Sequence, residues 1–285
     1  MSFASYDALI AAFTAGKGQD YVFNKTTLSL AAASAGHSLW NAAGAPGQGS
    51  FGGSSAGVWT AQNSSTAGAI AFANPTGPDT LHLVLAGCVP NAASAGTMLI
   101  YDRLGQVEFL PLNDGSLPEV TAVSSDFTAR LAAGEGAQIF AEITHTVMAT
   151  GAVFQISSYT NQAGTAARAS EVVTCNAVAS QAAGRFPYTN RFFINLQAGD
   201  TGVRSIESVT LTANSSTTAA KMNIVAARPL TYLPMNSANV YVERDLVLAT
   251  IKMPRIRDNA CIALAVLSAG TSLPVFNGNL IAIAG

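Results

Sequence analysis

The sequence predicts an all-β protein: two tandem, internally duplicated β-sandwich or jelly-roll units behind a short N-terminal helix and an extended arm. Three observations carry this expectation. From about residue 58 onward, short apolar or alternating runs recur, each closed by Gly, Pro, Asn or Asp. An ordered set of residues in the first half returns in the second, displaced by 122 to 124 positions. Finally, of 285 residues 49% are apolar and only 11% charged, yet no apolar run reaches the roughly 18 residues of a membrane-spanning helix. Valine, isoleucine, leucine and phenylalanine are also too plentiful for a disordered chain.

The elements follow in order. Ser5 is placed to cap a helix, Asp7 lies in its positive first turn, and Gly16 ends it. Tyr6, Leu9, Ile10 and Phe13 fall on one face at helical spacing. Strand character appears at Tyr21–Phe23 and Thr26–Leu30, and a tract rich in Ala, Gly and Ser runs from Ala31 to Gly57, holding Trp40 and Phe51. Residues 1–60 are therefore expected to be helix and arm, and 61–168 the first sandwich. Residues 169–184, rich in Ala, Ser and Gln, form the linker, and 185–285 the second sandwich. Candidate strands are Ala69–Phe72, Leu81–Leu85, Met98–Tyr101, Val107–Leu112, Ile139–Ile143 and Val153–Ser157. In the second half they are Phe192–Leu196, Val209–Thr212, Met222–Val225, Val240–Val242, Leu246–Ile251, Cys261–Val266 and Leu280–Ile283.

The repeat rests on matched anchors. Met98, Ile100 and Leu110-Pro111 correspond to Met222, Ile224 and Leu233-Pro234. Ile139 corresponds to Ile262, and Val153-Phe154 to Val275-Phe276.

Catalytic patterns are present as spelling only. Gly47-Gln-Gly49-Ser-Phe-Gly52 reads as a dinucleotide fingerprint, but no strand precedes it, no helix pattern follows, and no acidic residue lies about 20 positions on. Gly53-Ser-Ser55-Ala-Gly57 reads as a nucleophile elbow without the strand and helix that aim its serine. His37, His82 and His145 have no ligand spacing around them. Asp102, Glu108, Glu119, Glu135 and Glu142 offer carboxylates from which no pair stands out. Trp40, Trp59, Tyr159 and Tyr188 are the aromatics that a sugar-binding surface would use, against a core role for each. No catalytic residue, metal site or cofactor is assigned, and no enzyme is expected. Cys88, Cys175 and Cys261 are far apart, odd in number, and expected as buried free thiols.

The fourteen Lys and Arg are scattered and the net charge is −2, which argues against a nucleic-acid partner. The first residues, Met1–Ser5, show no basic start to a secretory leader, so synthesis in a reducing cytoplasm is expected. A surface this poor in charge suits permanent packing against other subunits, where charged groups are depleted. The Tyr6, Leu9, Ile10, Phe13 stripe is the candidate docking face. Asp102-Arg103, Asp200 with Arg204, and Arg244-Asp245 put opposite charges close together and are candidate ion pairs that fix loops or subunit register. A closed homo-oligomer is the expected working form.

Four segments carry a resemblance: Met98–Leu104, Ser158–Arg168, Ala198–Leu211 and Val242–Leu246. They resemble a group of tailed-bacteriophage virion proteins described as structural, over roughly residues 80–267. The resemblance implies a virion component, and no functional residues come with it. A capsid cement or decoration protein that bridges major capsid subunits is the expected role, as a homotrimer by analogy with the local threefold positions of capsid lattices. A neck or tail accessory protein, or a carbohydrate-binding adhesin of the tail, is the alternative.

Overall fold

The computed structural model describes residues 3, 5–26, 34–52, 57–92, 95–112, 130, 131, 133, 134, 136–145, 151–176, 183–215, 220–248, 253–270 and 274–285. The fold is all-β with one short helix, and every strand pairing among the described residues is antiparallel.

The helix, α1 (Tyr6–Thr14), forms where the capping residues place it. The Ser5 side chain accepts the Ala8 N–H, and Gly16 takes a left-handed φ of +72°. That turn lets Gly16 and Lys17 donate back to the carbonyls of Phe13 and Ala12, closing the helix as a Schellman motif.

Three sheets follow, layered like a double sandwich. The first contains β1 (Gly18–Thr26), β3 (Ala43–Ala45), β5 (Leu81–Pro90), β13 (Val242–Asp245), β14 (Arg255–Ile256) and β16 (Val275–Ala284). The middle sheet runs β10 (Arg185–Thr189), β2 (Ala35–Ser38), β15 (Ile262–Ser268), β6 (Ala95–Pro111), β12 (Lys221–Pro234), β7 (Gln138–His145), with β4 (Trp59–Ala61) also on β6. It curls back on itself, since Gly184, at the head of β10, donates its N–H to Ile143 on β7 at 2.7 Å. The third sheet holds β8 (Val153–Asn161), β9 (Val172–Thr174) and β11 (Val203–Ala213).

Two cores fill the layers. Phe23, Leu83, Ile100, Leu264, Phe276 and Leu280 lie between the first and middle sheets. Ile139, Phe154, Val209 and Ile224 lie between the middle and third, while Tyr101 and Phe140 pack inside the curl of the middle sheet against Phe186 of β10. Strands buried on both faces read as continuous apolar runs rather than alternating ones, which is why β15 is Ile-Ala-Leu-Ala-Val-Leu-Ser.

All three sheets draw strands from both expected units. β12 of the second half lies between β6 and β7 of the first, β16 pairs with β5, and β8 pairs with β11. The segments 61–168 and 185–285 thus interleave instead of folding side by side. Nor do residues 1–60 form an arm: β1 to β4 are built into the sheets, and Trp40 is 1% exposed. The segment 169–184 includes β9, so part of the expected linker is strand.

Several strands are longer than their apolar runs. Met98–Tyr101 and Val107–Leu112 belong to one strand, β6, because Asp102, Arg103 and Gly105 between them have partners that keep polar and small residues in the ladder. Trp59 lies so close over Gly105 that a Cβ there would meet its ring at 2.4 Å. Ala69–Phe72 supplies only an isolated bridge, Ile70 to Ile262, and Phe192–Leu196 forms no strand. Leu246–Leu248 is a turn, and 249–251 lie outside the described residues.

Candidate docking surface

Helix α1 packs on β16 through one side. Leu9 and Ala12 are buried against Val84 and Ile283, with Phe3, Val247 and Met253 beside them. The rest of the predicted stripe points outward: Tyr6 is 57% exposed, Ile10 60% and Phe13 47%. The structure therefore divides the four residues, making Leu9 the anchor that holds the helix and leaving three as exposed apolar surface. A groove of about 200 Å³ runs beside them, lined by Phe3, Ser5, Tyr6, Leu9, Val247 and Met253. That is smaller than the 300–1,000 Å³ typical of ligand pockets and fits an inserted side chain better than a small molecule. Leu248, 71% exposed, ends the turn that carries the groove-lining Val247 and has no sequence signal beyond its own hydrophobicity. Asp245 fixes that turn by accepting the N–H groups of Val247 (2.8 Å) and Leu248 (3.1 Å).

The candidate ion pairs are not the ones adjacency suggested. Asp102 and Arg103 are neighbours on a strand and so face opposite ways. Asp102 instead stands 3.6 Å from Arg130, and Arg103 forms a salt bridge with Glu142 with both side chains fully buried. Around Arg103, Gln62 Oε1 accepts from Nε at 2.5 Å, Gln106 Oε1 accepts from Nη2 at 2.6 Å, and the Trp40 ring lies 4.9 Å from the guanidinium carbon. Glu108 continues this buried network to Thr60. Asp200 does not pair with Arg204. Arg168 clamps it at 3.0 and 3.2 Å, Tyr159 and Asn161 donate to it, and Arg168 first among these partners holds its carboxyl down at about 2. Arg204 instead donates to the Gln162 carbonyl. Arg244 donates to the Tyr232 carbonyl at 3.0 Å rather than to Asp245. Sequence reading missed the pairings with Arg168, Glu142, Arg130 and Gln62, since each of these partners is supplied by a distant segment, and it missed Gln106, three residues along β6 from Arg103. The segments 158–168 and 198–211, named above for their resemblance, do meet at Asp200.

The remaining candidates resolve as scaffold. Gly49 and Gly52 press against Trp40 and Glu108, and Trp40 Nε1 donates to the Ser50 carbonyl at 2.8 Å, so 47–52 is a packed cover rather than a flexible loop. Residues 53–56 of the serine pattern, and Glu119 and Glu135, lie outside the described residues. Trp40, Tyr159 and Tyr188 are buried and present no face to a sugar, while Trp59 is half-buried over Gly105. His37 and His82 are buried in different sheets, and the His145 side chain lies outside the described residues. Cys88, Cys175 and Cys261 are free and buried, and burial pushes each thiol up to about 12. Among the described residues no group of three His, Cys, Asp or Glu is placed to hold a metal, and no helix is long and apolar enough to cross a membrane. Compared with known proteins, the chain matches no family model, no curated sequence and no solved structure.

Proposed function

We propose that this protein is a non-catalytic structural component of a tailed-phage particle, a cement or decoration protein that bridges neighbouring capsid subunits. The observation that carries the reading is the exposed apolar triad of Tyr6, Ile10 and Phe13 on a helix clamped by Leu9 beside a side-chain-sized groove. Exposed apolar surface rimmed by polar residues marks an interaction site, and here it sits on a densely packed β scaffold. The sparse charge of the chain, 11%, supports a permanent place in an assembly. A homotrimer is the proposed working form, since closed symmetry buries such a surface without open-ended growth.

The proposal includes an internal duplication, which the strand register supports. Met98 lies opposite Leu233 and Leu110 opposite Met222 on neighbouring central strands. Ile139 pairs with Ala226, and its counterpart Ile262 pairs with Asp102, displacements of 123 and 124 that agree to one residue. An exchange of strands about an approximate twofold between β6 and β12 accounts for both.

The test compares particles with and without the protein for DNA release on heating, with quantitative mass spectrometry for copy number. A ligand that binds only the assembled shell stabilises it, so saturated particles withstand higher temperature and carry hundreds of copies. Unchanged release temperature with a handful of copies would refute the cement role.

A further inference from the structure

Helix α1 covers one end of the outer face of the first sheet, and the strand register lays out what it leaves open. Direct partners across antiparallel strands share a face. Val22 on β1, Asn279 on β16, Gly87 on β5 and Glu243 on β13 therefore form one row across four strands. Asp20, Ile281, Leu85 and Asp245 form the next. Both rows turn away from the core, since Tyr21 and Phe23, which alternate with Asp20 and Val22 along β1, pack into it. The Tyr241 ring lies over Gly87, where a Cβ would meet its hydroxyl at 1.8 Å, and that hydroxyl donates to Asn279 Oδ1 at 2.8 Å. On the helix side, the Phe13 ring stands 3.3 Å from where a Cβ of Gly18 would be.

An antiparallel sheet with one face in water ordinarily alternates apolar-in with polar-out. This face breaks that pattern in two ways. Val22 is 70% exposed and Tyr241 48%, with Leu85 and Ile281 half-buried beside them. The charged positions are also all of one sign: Asp20, Glu243 and Asp245 are exposed, and neither row holds a Lys or Arg. Arg244, between two of them on β13, faces the other way and donates to the Tyr232 carbonyl. Lys17, just ahead of β1, is held by Asp79 at 2.6 Å. Asp245 Oδ1 accepts the N–H groups of its turn, whereas Asp20 and Glu243 make no salt bridge or hydrogen bond among the described residues. Counting Lys252, which lies outside the described residues, still leaves the carboxylates in excess.

We propose that this face docks a lysine- or arginine-bearing amphipathic segment of a partner protein, its apolar side on Val22 and Tyr241 and its cations on Asp20 and Glu243. Exposed apolar surface calls for a cover, and carboxylates of one sign around it select a basic one. A second copy of this chain is the poorer occupant, because a symmetric contact sets the same carboxylates against each other. The inference does not rest on the particle role: it is read on the isolated chain in solution.

The experiment titrates the isolated full chain with acetyl-Leu-Lys-Lys-Leu-Leu-Lys-Lys-Leu-amide and with the version carrying Glu in place of Lys, followed by calorimetry. Saturable binding of the basic peptide is expected, weakening as salt is raised, with the acidic peptide inert. The double variant Asp20→Asn, Glu243→Gln is expected to weaken binding roughly three- to tenfold, and Val22→Ser to weaken it as well. These side chains are exposed, so the melting temperature is expected to stay that of the wild type. Glu207→Gln, on the third sheet, is expected to bind as the wild type does. No saturable binding, equal binding of the two peptides, or wild-type binding by the double variant would each overturn the assignment. So would a wild-type dimer in sedimentation that Val22→Ser dissociates, by giving the face to a second copy.

Discussion

Arg103 and Glu142 show how a polar residue comes to sit at the centre of a strand. Both are fully buried, and every arm of the guanidinium has an acceptor or a ring against it. Removing one partner leaves the other charged and alone in the core, so Arg103→Met or Glu142→Gln is expected to cost about 3–5 kcal/mol. The double replacement by apolar residues of similar size is expected to cost less than either single change, and urea midpoints with unchanged slopes check this. Titration gives a second residue-level prediction. His37 has an ordinary value of 6.5, and burial, with Arg185 beside it, pushes it down to about 3. Lys25 falls from 10.5 to about 8 through burial. In both windows the unfolded chain binds the proton that the folded chain refuses, so stability rises with pH from about 3 to 6.5 and again from about 8 to 10.5. Stability curves of His37→Gln and Lys25→Met are expected to flatten in the lower and upper window respectively. Parallel curves for variant and wild type would refute the assignment. None of these partners was legible in the sequence, because Glu142 lies 39 positions from Arg103, and side-by-side placement is set by the ladder.

Helix α1 was the most legible element, since its cap, its apolar spacing and its terminal glycine all act within one turn of the chain. Ser5→Ala is expected to destabilise it by about 1 kcal/mol. Leu9→Ala, which empties a buried anchor, costs about 2 kcal/mol or more. Ile10→Asp and Phe13→Asp replace exposed side chains, so they are expected to leave the melting temperature within a degree or two while abolishing attachment to particles. Attachment at wild-type strength would refute the docking face. Strand boundaries were less legible. β6 was divided at Asp102-Arg103-Leu104-Gly105 because polar residues and glycine usually mark a turn, whereas here a buried network and the Trp59 ring hold them within the strand. β2 and β10 escaped notice because Ala-Gly-His-Ser and Arg-Phe-Pro-Tyr-Thr lack alternation. Gly36 is there to admit Phe186, which a Cβ would meet at 2.2 Å.

At the scale of the molecule, the first 57 residues decide whether the fold exists. They supply β1, β2 and β3, the Trp40 ring under the Arg103 network, and the strand beside β16. Deleting them is expected to yield insoluble or unfolded protein, read by loss of the far-ultraviolet strand signal. A soluble, cooperatively melting 58–285 fragment would contradict this. The same interleaving predicts that neither 61–168 nor 185–285 folds alone, because β12 has its two hydrogen-bonded neighbours in the other segment.

What sequence alone settled was the all-β class, the capped helix and the buried thiols. These follow from local propensity, side-chain period and composition, which act over a few residues at a time. What the tertiary structure decided was pairing: which strand lies beside which, which carboxylate meets which guanidinium, and which of Tyr6, Leu9, Ile10 and Phe13 faces solvent. A strand's apolar pattern tells it to be covered but not by what, and β6 is as well satisfied by β12, 110 positions and more away, as by a neighbour in its own half. Partner choice depends on the collective packing of two cores, and that free energy exists only once the whole chain has assembled.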